Sequence, residues 1–301
     1  ANQWPEDVVE YFGTEEAPEC TMCFHFPVMP RIFYALRQGS AEAIRWVLEK
    51  TPDIPAHGQW GTFLRNHDEL TLEMVTPEDR SAMLGWYAPD SRMRANIGIR
   101  RRLAPLLERD RRRIELMTSL LLTMPGTPVL YYGDEIGMPR VEVAPQFVQD
   151  PWERNEPGLG VGRDPSRTPM QWDRYSHAGF SSAQPWLPVE PLYRERNVAL
   201  LRHDPRSILS LYRELTDLRR GYPAVHSGST RVIGADDNVL SYERIAGEQR
   251  IVVMLNFGPE QRPLPLFAGQ KTRILLSTHL DREGLVNIEW LRPNEGIAVL
   301  A

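Results

Sequence analysis

Phe63-Leu64-Arg65-Asn66-His67-Asp68-Glu69-Leu70 (FLRNHDEL, 63–70) passes from apolar to wholly polar within a few residues. With Gly61 and Thr62 before it, the stretch reads as a short buried strand running into polar residues. Where parallel strands alternate with helices, side chains just beyond a strand's C-terminal end face the crevice in which ligands bind. Asn66, His67, Asp68 and Glu69 are therefore candidates for chemistry. A second reading stays open: Asn and Asp in such a place also cap the helix that follows.

Working outward, short apolar runs alternate with helical patterns over roughly the first 220 residues, as in βα units around a parallel sheet. CFHFP (23–27) reads as a strand, and AEAIRWVLEK (41–50) puts Ile44, Val47 and Leu48 on one helix face. RRRIELMTSLLLTM (111–124) reads as a strongly apolar helix stopped by Pro125-Gly126, and TPVLYYGDEIG (127–137) as a buried strand ending in Asp134 and Glu135. PRSILSLYRELTDLRRG (205–221) is an amphipathic helix, stopped by Gly221 with Pro223 beyond. A long Pro-, Gly-, Arg- and Trp-rich loop at about 134–204 is expected to be ordered through Trp152, Trp172 and Trp186.

From about residue 225 the pattern changes. TRVIG, NVLSYERI, RIVVMLNF, TRILLS and GIAVLA are β-rich runs, separated by turn signals such as Asp236-Asp237-Asn238 and Ala246-Gly247. The expected organisation is α/β. Residues 1–224 form the C-terminal part of a (β/α)8 barrel, and residues 225–301 a small antiparallel β-sandwich that packs against it. Three strand-like segments are present where a closed barrel needs eight. The opening ANQWPEDVVEYFG carries no signal pattern, so Ala1 is expected to be an interior position of a longer chain.

Composition excludes several classes. The net charge of −5 disfavours nucleic acid or anionic lipid as the main partner. The arginine-dense stretch 100–113 alternates with Leu and Ile and is expected to be a solvated, ion-paired face. There is no apolar run long enough for a membrane span, and a cytoplasmic location is expected. Cys20 and Cys23 have no second ligand pair for zinc and read as structural thiols. No metal site and no cofactor are expected here, and no oligomeric state is indicated.

NHDE, GTPVLYYGDEIGM and GRDPSRTPMQWD occur in this order with helix-sized spacers. Together they resemble glycoside hydrolase family 13, the α-amylase superfamily. FLRNHDELTLEMV and RMRANIGIRRRLAPLLERDRRRIELM are similar to the maltose-isomerising branch. VQDPWERNEPGLGVGRDPSRTPMQWD and PLYRERNVALL are closer to the α-glucosidases.

The resemblance implies a retaining enzyme acting on a small α-glucoside such as maltose or trehalose. One carboxylate attacks the anomeric carbon and a carboxylic acid protonates the leaving oxygen. Asp68 matches the third carboxylate, which binds sugar hydroxyls and favours the distorted transition state, and His67 matches its neighbour on the same sugar. Arg167, and after it Arg163, matches an arginine that helps hold the terminal glucose. Asn66, Glu69 and Phe26 complete the expected substrate contacts, Phe26 as a stacking platform or as core packing. Asp134 and Glu135 are expected to support the site from behind. The nucleophile and the general acid fall before Ala1 in the family pattern, so residues 1–301 alone are expected to be inactive. Calcium is left open for a longer chain. The runner-up reactions are hydrolysis of α-1,4 or α-1,6 glucosides and sugar binding without catalysis.

Overall fold

The computed structural model describes residues 3–234, 236–264, 267 and 271–301. Ala1 and Asn2, at the position read as interior to a longer chain, lie outside the described residues. Contacts divide the chain into two compact units that interleave in sequence. One runs up to Phe63 and adds Arg111–Val129 and Leu211–Ala301; the other comprises Leu64–Asp110 and Leu130–Ser210.

The first unit holds a parallel sheet in the order β1 (Met22–Phe24), β2 (Gln59–Thr62), β3 (Thr127–Pro128). The three segments read as strands from sequence all pair, with Met22 opposite Gln59 and Gly61 opposite Thr127. The last is much shorter than expected. It stops at Pro128, and Val129 and Leu130 are exposed rather than buried.

Helix α1 (Val28–Gln38) buries Val28, Ile32 and Leu36 at four-residue spacing, with Met29 and Phe33 beside them, and ends at Gly39 in the left-handed conformation. Helix α2 (Glu42–Lys50) buries Ile44 and Val47. Helix α3 (Arg111–Thr123) is buried throughout from Ile114, which is why its sequence lacks a polar face. The chain leaves it through Gly126 at φ +93, where a Cβ would meet the Trp60 carbonyl oxygen at 2.4 Å. Helix α4 (Ile208–Gly221) ends where expected but for a different reason. Gly221 is not left-handed. Pro223 forces Tyr222 into an extended conformation (φ −123, ψ 105) and opens a new short helix, Pro223–Ser227.

The C-terminal strands β4 (Ser229–Ile233), β5 (Val239–Ala246), β6 (Gln249–Asn256), β7 (Lys271–Ser277), β8 (Gly284–Asn287) and β9 (Gly296–Leu300) form one antiparallel sheet. Its order is β8-β7-β9-β6-β5-β4. Val252, Met254, Ile274, Ile297 and Val299 pack with Leu264, Ile288 and Leu291, which sit on or beside a two-stranded ribbon (Arg262–Pro263 with Trp290–Leu291). The other face is covered too. Tyr242 Oη lies 2.6 Å from Thr123 Oγ1 of α3, and buried Arg244 donates to the Ala224 and Val225 carbonyls at 3.2 and 3.0 Å. Burial on both faces explains why β6 reads as an unbroken apolar run and not as an alternation.

The second unit contains helix Pro77–Tyr87 and three two-residue strands, with Leu70–Thr71 and Arg94–Ala95 both pairing with Gly98–Ile99. Its long segment 134–204 is a series of short turns. Two of the three tryptophans do not anchor it as expected, Trp186 being 80% exposed and Trp172 49%, whereas Trp152 is half-buried with the Arg163 guanidinium 6.0 Å from its ring. Buried polar side chains do. Gln171 donates to Glu190 at 2.9 Å, and Asn197 accepts from the Leu200 N–H at 2.9 Å while donating to the Tyr193 carbonyl at 2.8 Å.

Candidate functional site

Beyond β2 the chain buries Leu64 and then Arg65, which is 1% exposed. Arg65 organises the turn that follows. Its Nη2 donates to the Asp68 carbonyl at 2.7 Å and its Nε to the Arg101 carbonyl at 2.6 Å. Asn66 Oδ1 accepts the Asp68 N–H at 2.9 Å, closing a side-chain turn. No helix starts here. The next one begins at Pro77, and Thr76 caps it by accepting from the Asp79 N–H at 3.1 Å. The capping reading of Asn66 and Asp68 therefore fails.

The Asp68 side chain is 36% exposed. One carboxylate oxygen lies 3.1 Å from His67 Nε2, and the other accepts from Arg163 Nε. That hydrogen bond holds the Arg163 guanidinium above its ordinary pKa. The carboxylate keeps unused acceptor positions toward solvent, and half-exposed His67 offers a further donor or acceptor. Such a cluster suits the hydroxyls of a polyol.

Arg163 is held by the two Asp-Pro pairs of the long segment. Asp150 Oδ2 accepts the Arg163 N–H at 3.1 Å, and Asp164 Oδ2 accepts the N–H groups of Gln149 and Asp150 at 2.6 and 2.9 Å. Each aspartate precedes a proline at the start of a short helical turn. Arg167, preferred over Arg163 from sequence, is more exposed and pairs with Asp150 at 3.7 Å rather than with Asp68. Glu69 accepts from Asn96 at 2.7 Å. Phe26 belongs to the other unit, half-buried against Phe24 and Phe63 at ring separations of 5.7 and 6.1 Å. Arg65 and Asp150 were not singled out from sequence, although the repeated Asp-Pro pair was a readable signal for the second.

Asp134 comes within electrostatic reach of Arg65, which organises the Asp68 turn. Asp134 is buried, and burial pushes its carboxyl up to about 7 against the pull of Arg102 and Arg65. Glu135 accepts the Gly133 N–H at 2.7 Å. A carboxyl raised by folding lends stability at low pH that is lost as pH rises through its folded value. Replacing Asp134 with Asn removes that loss. The stability of Asp134→Asn relative to the parent is thus expected to grow from about pH 4 to pH 7, as read from urea midpoints across that range. A flat difference would show that the carboxyl titrates normally.

The arginine stretch 100–113 is not uniformly solvated, contrary to expectation. Arg111 and Arg112 do pair with buried Glu115 at 2.6 and 2.7 Å. Arg100 and Arg102, however, are buried, and Arg102 donates to the Tyr132 and Ser166 carbonyls at 2.9 Å each. Loop carbonyls, not carboxylates, take up these charges. Among the described residues, His279, Asp281 and Glu295 come close enough together to hold a metal ion. Both carboxylates are already engaged, Asp281 by Arg292 at 2.7 Å and Glu295 by Arg282 and Arg292 at 2.5 Å, so the donor set is neutralised without one.

Residues 100–228 match the α-amylase catalytic domain. The chain is 48% identical over 278 residues to the trehalose synthase/amylase TreS of Mycobacterium tuberculosis, covering 88% of this chain and 43% of that protein. It is 33% identical over 200 residues to the oligo-1,6-glucosidase of Parageobacillus thermoglucosidasius, covering 59% and 35%. The chain thus spans under half the length of these relatives. In three dimensions it is similar to the trehalulose synthase MutB of Pseudomonas mesoacidophila MX-45, at a TM-score of 0.66 and 24% identity over 98% of this chain and 53% of that one, a likeness of fold. Residue motifs, parallel strands and relatives agree: the chain belongs to glycoside hydrolase family 13, the α-amylase family.

Proposed function

We propose that these residues form the C-terminal part of a retaining enzyme that converts maltose to trehalose by moving a glucosyl group within its site. The observation that carries the reading is the half-exposed Asp68 carboxylate, held by His67 and Arg163 in the turn that follows a parallel strand by a few residues, in a chain 48% identical to a trehalose synthase/amylase. Asp68 and His67 grip sugar hydroxyls and hold the ring toward its oxocarbenium-like form, an interaction that strengthens in the transition state. Arg163 orients Asp68, and Asn66 shapes the turn. Arg167, Glu69 and Phe26 are proposed as further sugar contacts. Nucleophilic attack and protonation require two more carboxylates, which the family pattern places before these residues. Residues 1–301 by themselves are therefore proposed to turn over no maltose.

An α-glucosidase is the second reading, favoured by the likeness of residues 148–173 to that branch and by the oligo-1,6-glucosidase match. The two differ in whether water reaches the glucosyl intermediate before released glucose re-docks. Incubation of the complete protein with maltose separates them: trehalose as main product supports the isomerase, and glucose alone supports the hydrolase. No cofactor is invoked for either. The ligand is proposed to be a small α-glucoside, not nucleic acid or membrane. No helix among the described residues is long and apolar enough to cross a membrane, and a cytoplasmic location is proposed. The division into a barrel part (1–224) and a C-terminal β-domain (225–301) is likewise proposed as the functional one.

A further inference from the structure

The second unit has a half-open cavity of about 550 Å³, within the size range of small-molecule sites. Arg100 and Arg140 line it together with Val143, Pro145, Val148 and Pro157. None of Asn66, His67, Asp68 or Glu69 does.

The cations of this cavity are unequally satisfied. Arg92 is taken up by Asp90 at 2.7 Å, and Arg154 by the Val148 carbonyl and Gln149 at 2.9 and 3.1 Å. Arg100 is 4% exposed and donates to the Gly162 and Arg92 carbonyls, yet its Nε is buried without a partner. The Nε of Arg140 is likewise buried and unpartnered, and Arg140 forms no hydrogen bond or ion pair among the described residues. Of the three carboxylates that line the cavity, Glu142, Glu153 and Asp164, the last two are occupied elsewhere. Glu153 accepts the N–H groups of Gly158, Gly160 and Gly162 at 3.0 to 3.2 Å, and Asp164 those of Gln149 and Asp150. Glu142 acts on Arg140 only through space. Burial above all pushes the Arg100 and Arg140 guanidinium groups below their ordinary pKa, helped by the charge of Arg140 at Arg100 and of Arg92 at Arg140. Two desolvated, same-sign groups with free N–H donors are costly unless an anion joins them.

We infer that this cavity binds a small organic anion, its carboxylate or phosphate head between Arg140 and Arg100 and its apolar body along Val143, Val148 and the prolines. Arginine favours both head groups because its fork matches their paired oxygens. The apolar lining argues against a bare inorganic ion, which would leave most of the volume empty.

Isothermal titration of the complete protein with phenyl phosphate, benzoate, benzyl alcohol and inorganic phosphate tests this. Binding of phenyl phosphate, benzoate or both at about 1 mM or tighter is expected for ligands of this size, at least tenfold tighter than benzyl alcohol. Which of the two anions binds more tightly identifies the head group. Arg140→Gln should weaken that binding at least tenfold. Arg140 makes no hydrogen bond among the described residues, so its loss should leave the melting temperature nearly unchanged. Val143→Trp fills the cavity with both arginines intact, and it should abolish binding even if the first variant folds poorly. Absence of binding by both anions overturns the proposal. So do equal affinities for benzyl alcohol, equal affinity for inorganic phosphate, or binding that survives Val143→Trp.

Discussion

Replacing Asp68 with Asn in the complete protein is expected to lower kcat on maltose by roughly a hundred- to a thousandfold, the range seen when one preorganised transition-state contact is removed. The substitution keeps size and shape but removes the charge that stabilises a cationic sugar ring. Because that contact strengthens as charge develops, kcat should fall far more than KM rises. The fold should not suffer. The Asp68 carboxylate is partly exposed and, among the described residues, pairs with His67 and Arg163, and such exposed pairs contribute at most about 1 kcal/mol. A kcat within threefold of the parent, in a protein with unchanged melting temperature, would remove Asp68 from the chemistry. Arg163→Ala should give a smaller loss, since Asp68 retains His67 and its backbone anchors to Arg65 and Asn66.

Arg65→Met is expected to act in the opposite way, on stability first. Arg65 is buried, and removing it strands the carbonyls of Asp68 and Arg101 without their donor. Loss of a buried charged group that serves several partners costs about 3–5 kcal/mol. It also withdraws one of the two cations that restrain Asp134, so the carboxyl of Asp134 should titrate still higher. Denaturant unfolding of parent and variant measures the first effect. A loss below about 1 kcal/mol would mean that water or a shifted side chain replaces the guanidinium, and that Arg65 does not shape the turn carrying His67 and Asp68.

The two predictions separate what could be read along the chain from what could not. Local signals were legible: the strand before Asn66, the apolar helix ending at Pro125-Gly126, and the β-rich runs after residue 225. Each depends on residues within one or two turns of one another. Where the sequence misled, the cause was long-range. Val129 and Leu130 look like a buried strand, and the Val129 N–H still donates to the Thr62 carbonyl at 2.7 Å, but the named strand ends at Pro128 and both side chains are exposed. Trp172 and Trp186 look like anchors, yet the long segment is ordered by buried Asp, Gln, Glu and Asn whose partners lie up to 19 residues away.

Periodicity and motif spacing are properties of neighbouring residues, and they were enough for the kinds of elements and for the family; the strand before Asp68 was legible too, but it ends earlier than expected, at Thr62. Only the tertiary structure decided that Arg163 rather than Arg167 reaches Asp68, across 95 positions. It alone placed Arg65 beneath that turn and left Arg140 at a cavity with no hydrogen-bonded carboxylate among the described residues. Arginine is polar on paper wherever it occurs. Whether it is solvated, paired or buried depends on which distant carbonyls and carboxylates the fold brings within about 3 Å of its donors.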